Sequence, residues 1–313
     1  MIVRERPSGL RLFLVLRGSV LPRIRLTLFV NTLVATLVTL SHGVLFDHKV
    51  TLTTIPFTLI GLPLAIFLGF RNNAAYDRYW EGRKLWGELV HRSRSLARQC
   101  QSLIGGEEPA SAALGLSDVR VRMTYRAIAF AHALRQQLRD LRQPDQLKPF
   151  LLDAEWRQAA ATPNPSDFLM RKMGHDLGLC LREGRVESCL GASIDSTLSA
   201  MAAAAAACER IKSTPIPFSY SLLLHRTAYL YCFLLPFGLV DSLGFMTPFV
   251  VAIVAYTFFG LDALGDEIEE PFGMDSNDLP LDAICRTIEI NLRDALGETR
   301  LPPALGALDY CLS

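Results

Sequence analysis

A long apolar segment that runs directly into a charged, amphipathic one is the strongest constraint on the fold of this chain. Residues 50–70 (VTLTTIPFTLIGLPLAIFLGF) contain no ionisable side chain. At about 1.5 Å of helix rise per residue, this segment is long enough to cross a hydrocarbon core about 30 Å thick. From Arg71 the sequence changes to RNNAAYDRYWEGRKLWGEL, in which aromatic residues recur at helical spacing among opposite charges. The sequence therefore predicts one helix that leaves a membrane and continues into water.

The composition agrees with a membrane protein. Hydrophobic residues make up 50% of the sequence and the mean hydropathy is +0.25, which is too apolar for an ordinary soluble chain of this length. The formal net charge of +1 argues against a bulk electrostatic field that would recruit nucleic acid. The seven cysteines include no CxxC pair, so neither a disulfide framework nor a zinc site is predicted.

Four segments are long and apolar enough to span a membrane: residues 26–46, 50–70, 227–243 and 245–261. They form two hairpins, because only a short loop separates the members of each pair. Six arginines precede the first span and four basic residues follow the second between positions 71 and 84, whereas the loop between these spans holds only Lys49. Since short loops rich in Lys and Arg stay in the cytoplasm, we expect both termini and the large middle region to be cytoplasmic.

The spans divide the chain into five segments. They are a cytosolic or interfacial segment at 1–25, a transmembrane hairpin at 26–71, a cytosolic helical domain at 72–220, a second hairpin at 221–262 and a cytosolic segment at 263–313. The middle segment has helical periodicity, with Asp118 placed as an N-cap, and shows no convincing strand. The predicted fold class is an all-α membrane protein with four transmembrane helices and a helical cytosolic body. Four spans leave little room for a pore within one chain, so an ion path would form more easily on a symmetry axis between copies.

Leu62, Ile66 and Phe70 lie four residues apart on one face of the second span; we call these three residues the apolar stripe. The small residues Ala65 and Gly69 lie between them and would let neighbouring helices pack closely. Repeated around a symmetry axis, the stripe would form three stacked hydrophobic rings of the kind that gate by dewetting. The residues alone favour a plainer alternative, in which the stripe faces another helix as in any leucine-rich span.

An acidic segment follows the fourth span. Residues 260–282 (GLDALGDEIEEPFGMDSNDLPLD) hold eight carboxylates, interrupted by Pro271 and Gly273. Hard cations such as calcium take oxygen ligands from irregular loops of this kind. Composition favours the alternative of an acidic, solvated helix end that PFG terminates, and the spacing is not that of an EF-hand.

Catalytic motifs are scarce. The sequence contains no HExxH, GxSxG or glycine-rich phosphate loop, so we do not expect an enzyme. One enzyme class stays open as an alternative, a magnesium-dependent membrane prenyltransferase, because Asp262 and Asp266 have DxxxD spacing just inside a span. The first hairpin offers no partner for these two residues, which argues against that class.

Two motifs carry a family resemblance. GFRNNAAYDRYWEGRKLWGELV (69–90), followed by EIEEPFGMDSNDLPLDAIC (267–285), resembles the bestrophin family in its bacterial branch, and the spans match throughout. The resemblance implies a homopentameric ion channel in the bacterial inner membrane, with four membrane helices per subunit around a central pore. Its partners would be further copies of itself, the lipid bilayer and monovalent ions. The second span would line a hydrophobic neck, whose three rings match the apolar stripe.

The resemblance also implies a second constriction, the lower aperture, for which Leu177 and Cys180 are our candidates. Bacterial members resemble sodium or potassium channels, whereas animal members conduct chloride. We therefore expect selectivity for monovalent cations, with an anion (chloride) channel of the same family as the alternative.

Eukaryotic bestrophins bind calcium in a clasp after the fourth span. Alignment on the PFG triplet places four side chains of this sequence at the positions of that clasp: Glu267, Glu270, Asp275 and Asp278. This sequence has DSND where the eukaryotic chains have an unbroken acidic run, and Glu270 where they have Asn. Bacterial members resemble one another in being calcium-independent, so we expect a vestigial clasp and no required cofactor.

Overall fold

The computed structural model describes residues 1–4, 9, 15–16, 18–42, 44–45, 48–49 and 53–313. The chain forms two compact units. The span unit consists of Glu5–Tyr79 and Pro215–Glu270, and the body unit consists of Met1–Arg4, Trp80–Thr214 and Pro271–Ser313. The span unit thus reaches past the predicted hairpin ends at 71 and 262, and the first four residues and the C-terminal segment belong to the body unit.

The described residues form nine α-helices and one small hairpin. The helices are α1 (Leu21–Leu40), α2 (Ile55–Leu103), α3 (Val119–Leu138), α4 (Asp153–Ala161), α5 (Pro165–Arg182), α6 (Ser188–Ser213), α7 (Phe218–Leu243), α8 (Thr247–Glu269) and α9 (Leu281–Ala295). Short 3-10 helices cover Ala112–Ser117, Pro144–Phe150 and Gly244–Met246. Strands β1 (Val44–Leu45) and β2 (His48–Lys49) pair antiparallel, with Val44 opposite Lys49 and Leu45 opposite His48.

Helix α1 is displaced toward the N-terminus relative to the predicted span at 26–46. It begins at Leu21 with Pro22 in its first turn, a position that proline favours because its missing N–H has no helical acceptor there. It ends at Leu40, and His42 adopts a left-handed backbone with φ of 51°. The residues that follow pair as β1 and β2, which sequence periodicity did not predict.

Length and apolar composition allow four described stretches to cross a membrane: Leu21–Leu40, Ile55–Leu103, Ser188–Ser213 and Phe218–Glu269. The last stretch contains both α7 and α8, so these two helices, α1 and the first half of α2 correspond to the four predicted spans. The third stretch is α6, whose alanine run makes it apolar. Helix α6 packs against α5 and α3 inside the body unit, and a larger share of its apolar window is buried, 39% against 22% in the other stretches.

Close contact between α2 and α7 organises the span unit. A Cβ atom added at Gly61 would lie 2.9 Å from the hydroxyl oxygen of Tyr231, and one added at Gly238 would collide with the Phe57 ring. The Phe57 and Tyr231 rings meet edge to face with centroids 6.0 Å apart. Small residues at such points let membrane helices approach closely, because the helices gain packing contacts in place of lipid contacts.

Helix α3 forms the centre of the body unit and packs against α5 and α9. Its predicted N-cap is confirmed, since the Asp118 side chain accepts hydrogen bonds from the backbone N–H groups of Arg120 and Val121. The buried Arg126 side chain binds the carboxylates of Glu155 at 2.6 Å and Asp176 at 2.7 Å. These ion pairs tie α3 to α4 and α5.

The glycine at the α2–α7 contact provides a test of this packing. Replacing Gly238 with Ala should destabilise the protein by about 1–3 kcal/mol, because the added methyl group overlaps the Phe57 ring. Thermal unfolding of the purified protein in detergent measures the change. The matched control is Gly260→Ala, where the nearest atom lies 3.7 Å from the added Cβ and the better helix propensity of Ala favours folding. Equal unfolding temperatures for the two variants would contradict the proposed contact.

Candidate ion pathway

Helix α2 presents two different faces within the span unit. Leu64 and Leu68 are almost fully buried and pack against Leu224 and Ala228 of α7. The same face is continued toward the start of the helix by Phe57, which packs against α7 and α8. Because buried positions recur every three or four residues, they form one seam along the helix.

The apolar stripe lies on the opposite face. The exposed fractions of its side chains are 67% for Leu62, 46% for Ile66 and 58% for Phe70. Gly69 lies on the exposed part of the helix as well, and a Cβ atom added there would meet no atom within 4 Å. The structure therefore brings the three predicted neck residues together on one uncovered face of the subunit. Their role in lining a pore stays a prediction.

Arg71 follows the stripe directly but belongs to the buried seam, with only 2% of its side chain exposed. Its Nη1 donates to Asp262 Oδ1 at 2.7 Å, and its Nη2 donates to Asp266 Oδ1. The Glu269 carboxylate lies 3.8 Å from the same Nη2. On the far side of Asp262, His225 Nδ1 lies 2.6 Å from Oδ2. We call these five residues the Arg71 network; it joins α2 to α7 and α8.

Further hydrogen bonds support this network. Asn72 donates to the Leu261 carbonyl at 3.1 Å, and Arg78 donates to the Glu269 carbonyl at 3.1 Å. The Glu269 side chain also accepts a hydrogen bond from the backbone N–H of Ile216 at 2.9 Å. Helix α2 is therefore hydrogen-bonded to the last part of α8 over the two turns that follow Phe70.

Sequence reasoning missed the Arg71 network. Arg71 entered only as a residue that orients the span, and its acidic partners were considered as part of a calcium or magnesium site. The available signal was the position of ionisable residues at the ends of two apolar spans, where they usually find partners inside the bundle. The pairing itself joins residues 191 positions apart, which no local pattern reveals.

The network argues against the prenyltransferase alternative, because it gives the two aspartates of the DxxxD motif partners other than a metal ion. The carboxylates of Asp262 and Asp266, which form the DxxxD motif, are bonded to Arg71, and Asp262 also contacts His225. Oxygens that are engaged by a buried guanidinium are poor magnesium ligands. Across the described ranges, no three His, Cys, Asp or Glu side chains are grouped so that they could hold a metal ion.

The four clasp residues fall on different parts of the chain. Glu267 belongs to α8, Glu270 follows its last residue, and both are part of the span unit. Asp275 and Asp278 lie in the body unit, where the Asp275 N–H donates to Asp278 Oδ2 at 2.7 Å and the Asp278 N–H donates to the Asp275 carbonyl at 3.1 Å. The Asp278 side chain thus accepts a hydrogen bond from within its own turn. The vestigial calcium clasp stays a prediction.

Our two candidates for the lower aperture are buried within the single subunit, and their role in an aperture stays a prediction. Leu177 is 3% exposed and Cys180 is 1% exposed, because both lie on the side of α5 that packs into the body unit. Burial also raises the pKa of the Cys180 thiol. The resemblance offered no motif in this region, so the register rested on apolar character alone, and apolar residues at helical spacing are typical of a core face.

Arg71 offers a stability test. Arg71→Ala should destabilise the protein by about 3–5 kcal/mol, because it leaves buried carboxylates without their cation. Adding Asp262→Asn to that variant should restore part of the loss. Thermal unfolding in detergent measures both, and the control is Arg171→Ala, which removes an exposed pair with Asp167 worth about 1 kcal/mol or less. Equal effects at positions 71 and 171 would show that the network does not stabilise the fold.

Asp278 offers a pH test. Burial, reinforced by the charge of Asp275, raises the pKa of Asp278 from 3.8 to about 6. The stabilising contribution of the protonated side chain is therefore full below about pH 4 and is lost as the pH rises through about 6. Against Asp278→Asn, which keeps an acceptor for the Asp275 N–H, the wild-type unfolding temperature should fall across this range. A constant difference between the two proteins would show that Asp278 does not titrate there.

Known proteins resemble this chain over nearly its whole length. Residues 1–294 match the family described as Bacterial/Fungal Bestrophin protein. The voltage-dependent anion channel-forming protein mll4386 of Mesorhizobium japonicum is 45% identical over 306 residues, which cover 97% of this chain and 94% of that protein. The voltage-dependent anion channel-forming protein YneE of Escherichia coli K12 is 43% identical over 303 residues, which cover 96% of each chain.

Solved structures give the same result. The crystal structure of a single-residue variant of a bacterial bestrophin homolog from Klebsiella pneumoniae matches with a TM-score of 0.81 and 36% identity, covering 88% of this chain and 100% of that one. The family match extends over most of the chain, and the sequence and structural relatives cover nearly all of their own lengths. The chain is therefore a member of the bestrophin family of ion channels.

Proposed function

We propose that this chain is one subunit of a homopentameric channel that conducts small monovalent ions, chiefly anions, across the bacterial inner membrane. The observation that carries the proposal is the uncovered apolar stripe on α2. Leu62, Ile66 and Phe70 are exposed although they lie in an apolar helix segment whose other face is closely packed in the span unit. A single copy cannot enclose an ion path with a face that points outward, so a path lined by the stripe requires several copies around a common axis.

Lipid contact is the competing explanation for an exposed apolar face. Helix α1 has such a face, formed by Leu26, Phe29 and Leu33. The α2 stripe differs because Gly69 lies beside it with free space at its Cβ position. A small residue at an open position favours close approach of a helix from another copy, as at other membrane helix interfaces. The number of copies, five, is what the resemblance implies.

The proposed selectivity differs from the cation preference that we expected from the sequence. The relatives with 45% and 43% identity are both named as anion channel-forming proteins, which supports the anion alternative over the sodium or potassium one. The stripe itself carries no formal charge. An apolar constriction therefore limits the rate and size of passing ions, and the sign of the permeant ion depends on charges beyond it.

We place the body unit and both termini in the cytoplasm. The distribution of Lys and Arg around the spans supports this orientation. Residues 1–4 pair with the C-terminal tail inside the body unit, where the Val3 N–H donates to the Tyr310 carbonyl and the Leu312 N–H donates to the Met1 carbonyl, both at 2.8 Å. Both ends therefore lie on the same side of the membrane as the body unit.

Ion flux from liposomes that contain the purified protein tests the proposal. A chloride gradient against an impermeant cation should produce flux, and the flux should persist when a chelator removes calcium. Flux of sodium or potassium against an impermeant anion, with none of chloride, would restore the cation reading. No flux of either kind from folded protein would overturn the channel assignment for this chain.

The neck is tested by replacing the stripe. Leu62→Ala, Ile66→Ala and Phe70→Ala together should raise the flux severalfold and admit larger anions, because three rings of bulky side chains are removed from a dewetting constriction. The matched control replaces Leu26, Phe29 and Leu33 of α1 with Ala, which removes a similar set of exposed apolar side chains. Liposome flux with anions of increasing size measures both triple variants. The same flux and size limit in both would remove the stripe from the ion path.

A further inference from the structure

The exposed face of α2 continues past the apolar stripe into polar residues. Asn73 and Asp77 are both exposed, and Asp77 follows Phe70 by seven residues and Ile66 by eleven. At 3.6 residues per turn these separations are about two and three turns, so Asp77 lies on the same side of the helix as the stripe. At 1.5 Å of rise per residue its Cα is about 10 Å beyond that of Phe70.

Asp77 keeps its charge unpaired on this face. No hydrogen bond or ion pair joins its carboxylate to any other residue in the described parts of the chain. The positions three and four residues away on the helix, where a basic side chain would neutralise it, are occupied by Asn73, Ala74, Trp80 and Glu81. Arg78, which is adjacent to Asp77, and Arg71, which precedes it by six residues, are directed toward α8, where Arg71 binds Asp262 and Arg78 donates to the Glu269 carbonyl.

The other carboxylates close to the end of the stripe are in a different state. Asp262, Asp266 and Glu269 all surround the Arg71 guanidinium, and Asp262 and Glu269 are largely buried. Their charge is partly neutralised and is directed into the span unit. Asp77 is therefore the carboxylate in this region that a passing ion would meet on the stripe's own face.

We infer that Asp77 is a selectivity-determining residue, which forms a ring of carboxylates on the cytoplasmic side of the hydrophobic neck. The inference rests on the proposed function, because the ring exists only if α2 lines a pore shared by several copies. Such a ring concentrates cations and repels anions at the mouth of a constriction whose own walls carry no charge. In the proposed anion channel, Asp77 thus opposes the entry of anions from the cytoplasm and makes the anion preference, which arises from charges elsewhere in the path, smaller than it would be without the ring.

The test measures reversal potentials in planar bilayers under a potassium chloride gradient. Asp77→Asn removes the charge at nearly constant size, and it should raise the chloride-to-potassium permeability ratio by about tenfold, the lower end of what a like-charged ring does to local ion concentration. Asp77→Glu keeps the charge and should keep the wild-type ratio. Asn73→Asp adds a carboxylate one turn nearer the neck on the same face and should lower the ratio.

The outcomes separate this inference from the proposed function. Conducting Asp77→Asn and Asn73→Asp channels with the wild-type ratio would overturn the inference and leave the channel assignment standing. A wild-type protein that gives no current would overturn the proposed function and the ring with it. If Asp77→Asn fails to assemble, the Asn73→Asp variant tests whether a charge on this face acts on passing ions, because it leaves Asp77 in place, and a wild-type ratio in that variant would overturn the inference.

Discussion

The ion pair between Arg71 and the carboxylates of α8 is the interaction on which the arrangement of the span unit depends. A guanidinium that is 2% exposed is tolerated only where anionic partners surround it, and Asp262 and Asp266 supply them. Each residue of a helix is rotated by about 100° from the next, so a partner for position 71 fixes the rotation of α2 about its axis. Leu64 and Leu68 are thereby held toward α7, and the apolar stripe is held outward. Arg71 thus determines which apolar side chains of α2 face outward.

The start of the same helix, before Arg71, is held by packing between apolar side chains. Gly61 accepts the Tyr231 ring, and Gly238 accepts the Phe57 ring, so α2 and α7 approach closely at the level where the stripe begins. Helix α2 is therefore held by apolar contact near its start and by hydrogen-bonded ions where it leaves the apolar region. Apolar contact suits the part of α2 that lies among apolar residues, because an unpaired polar group in lipid is costly and close packing adds dispersion contacts. Hydrogen-bonded ion pairs suit the part where the helix leaves the apolar region.

The sequence predicted those features that depend on local periodicity. The four apolar helices, the N-cap at Asp118 and the shared face of the apolar stripe all follow from patterns within a few turns of one helix. The sequence did not predict features that depend on contacts between distant segments. The Arg71 network joins distant segments. The burial of Leu177 and Cys180 likewise depends on the neighbours of α5 inside the body unit. The shift of α1 toward Leu21 depends on proline and on a left-handed residue at position 42, which a search for apolar length does not weigh.

The two halves of the exposed α2 face are suited to different parts of ion discrimination. An apolar ring acts on any ion through the loss of its water, which depends on ionic size and hydration and is insensitive to the position of formal charge in the protein. A carboxylate about three turns beyond Ile66 acts through its field, which falls off over a Debye length of about 8 Å in physiological salt and is therefore local to one mouth of the constriction. Because the apolar stripe and the carboxylate lie at different levels of one helix, a substitution can change one without the other. The dehydration barrier and the charge preference can therefore vary independently. If Asp77 acts as we infer, a single substitution there alters selectivity while the stripe stays the same, which is a physical reason why the apolar motif by itself does not indicate the sign of the permeant ion.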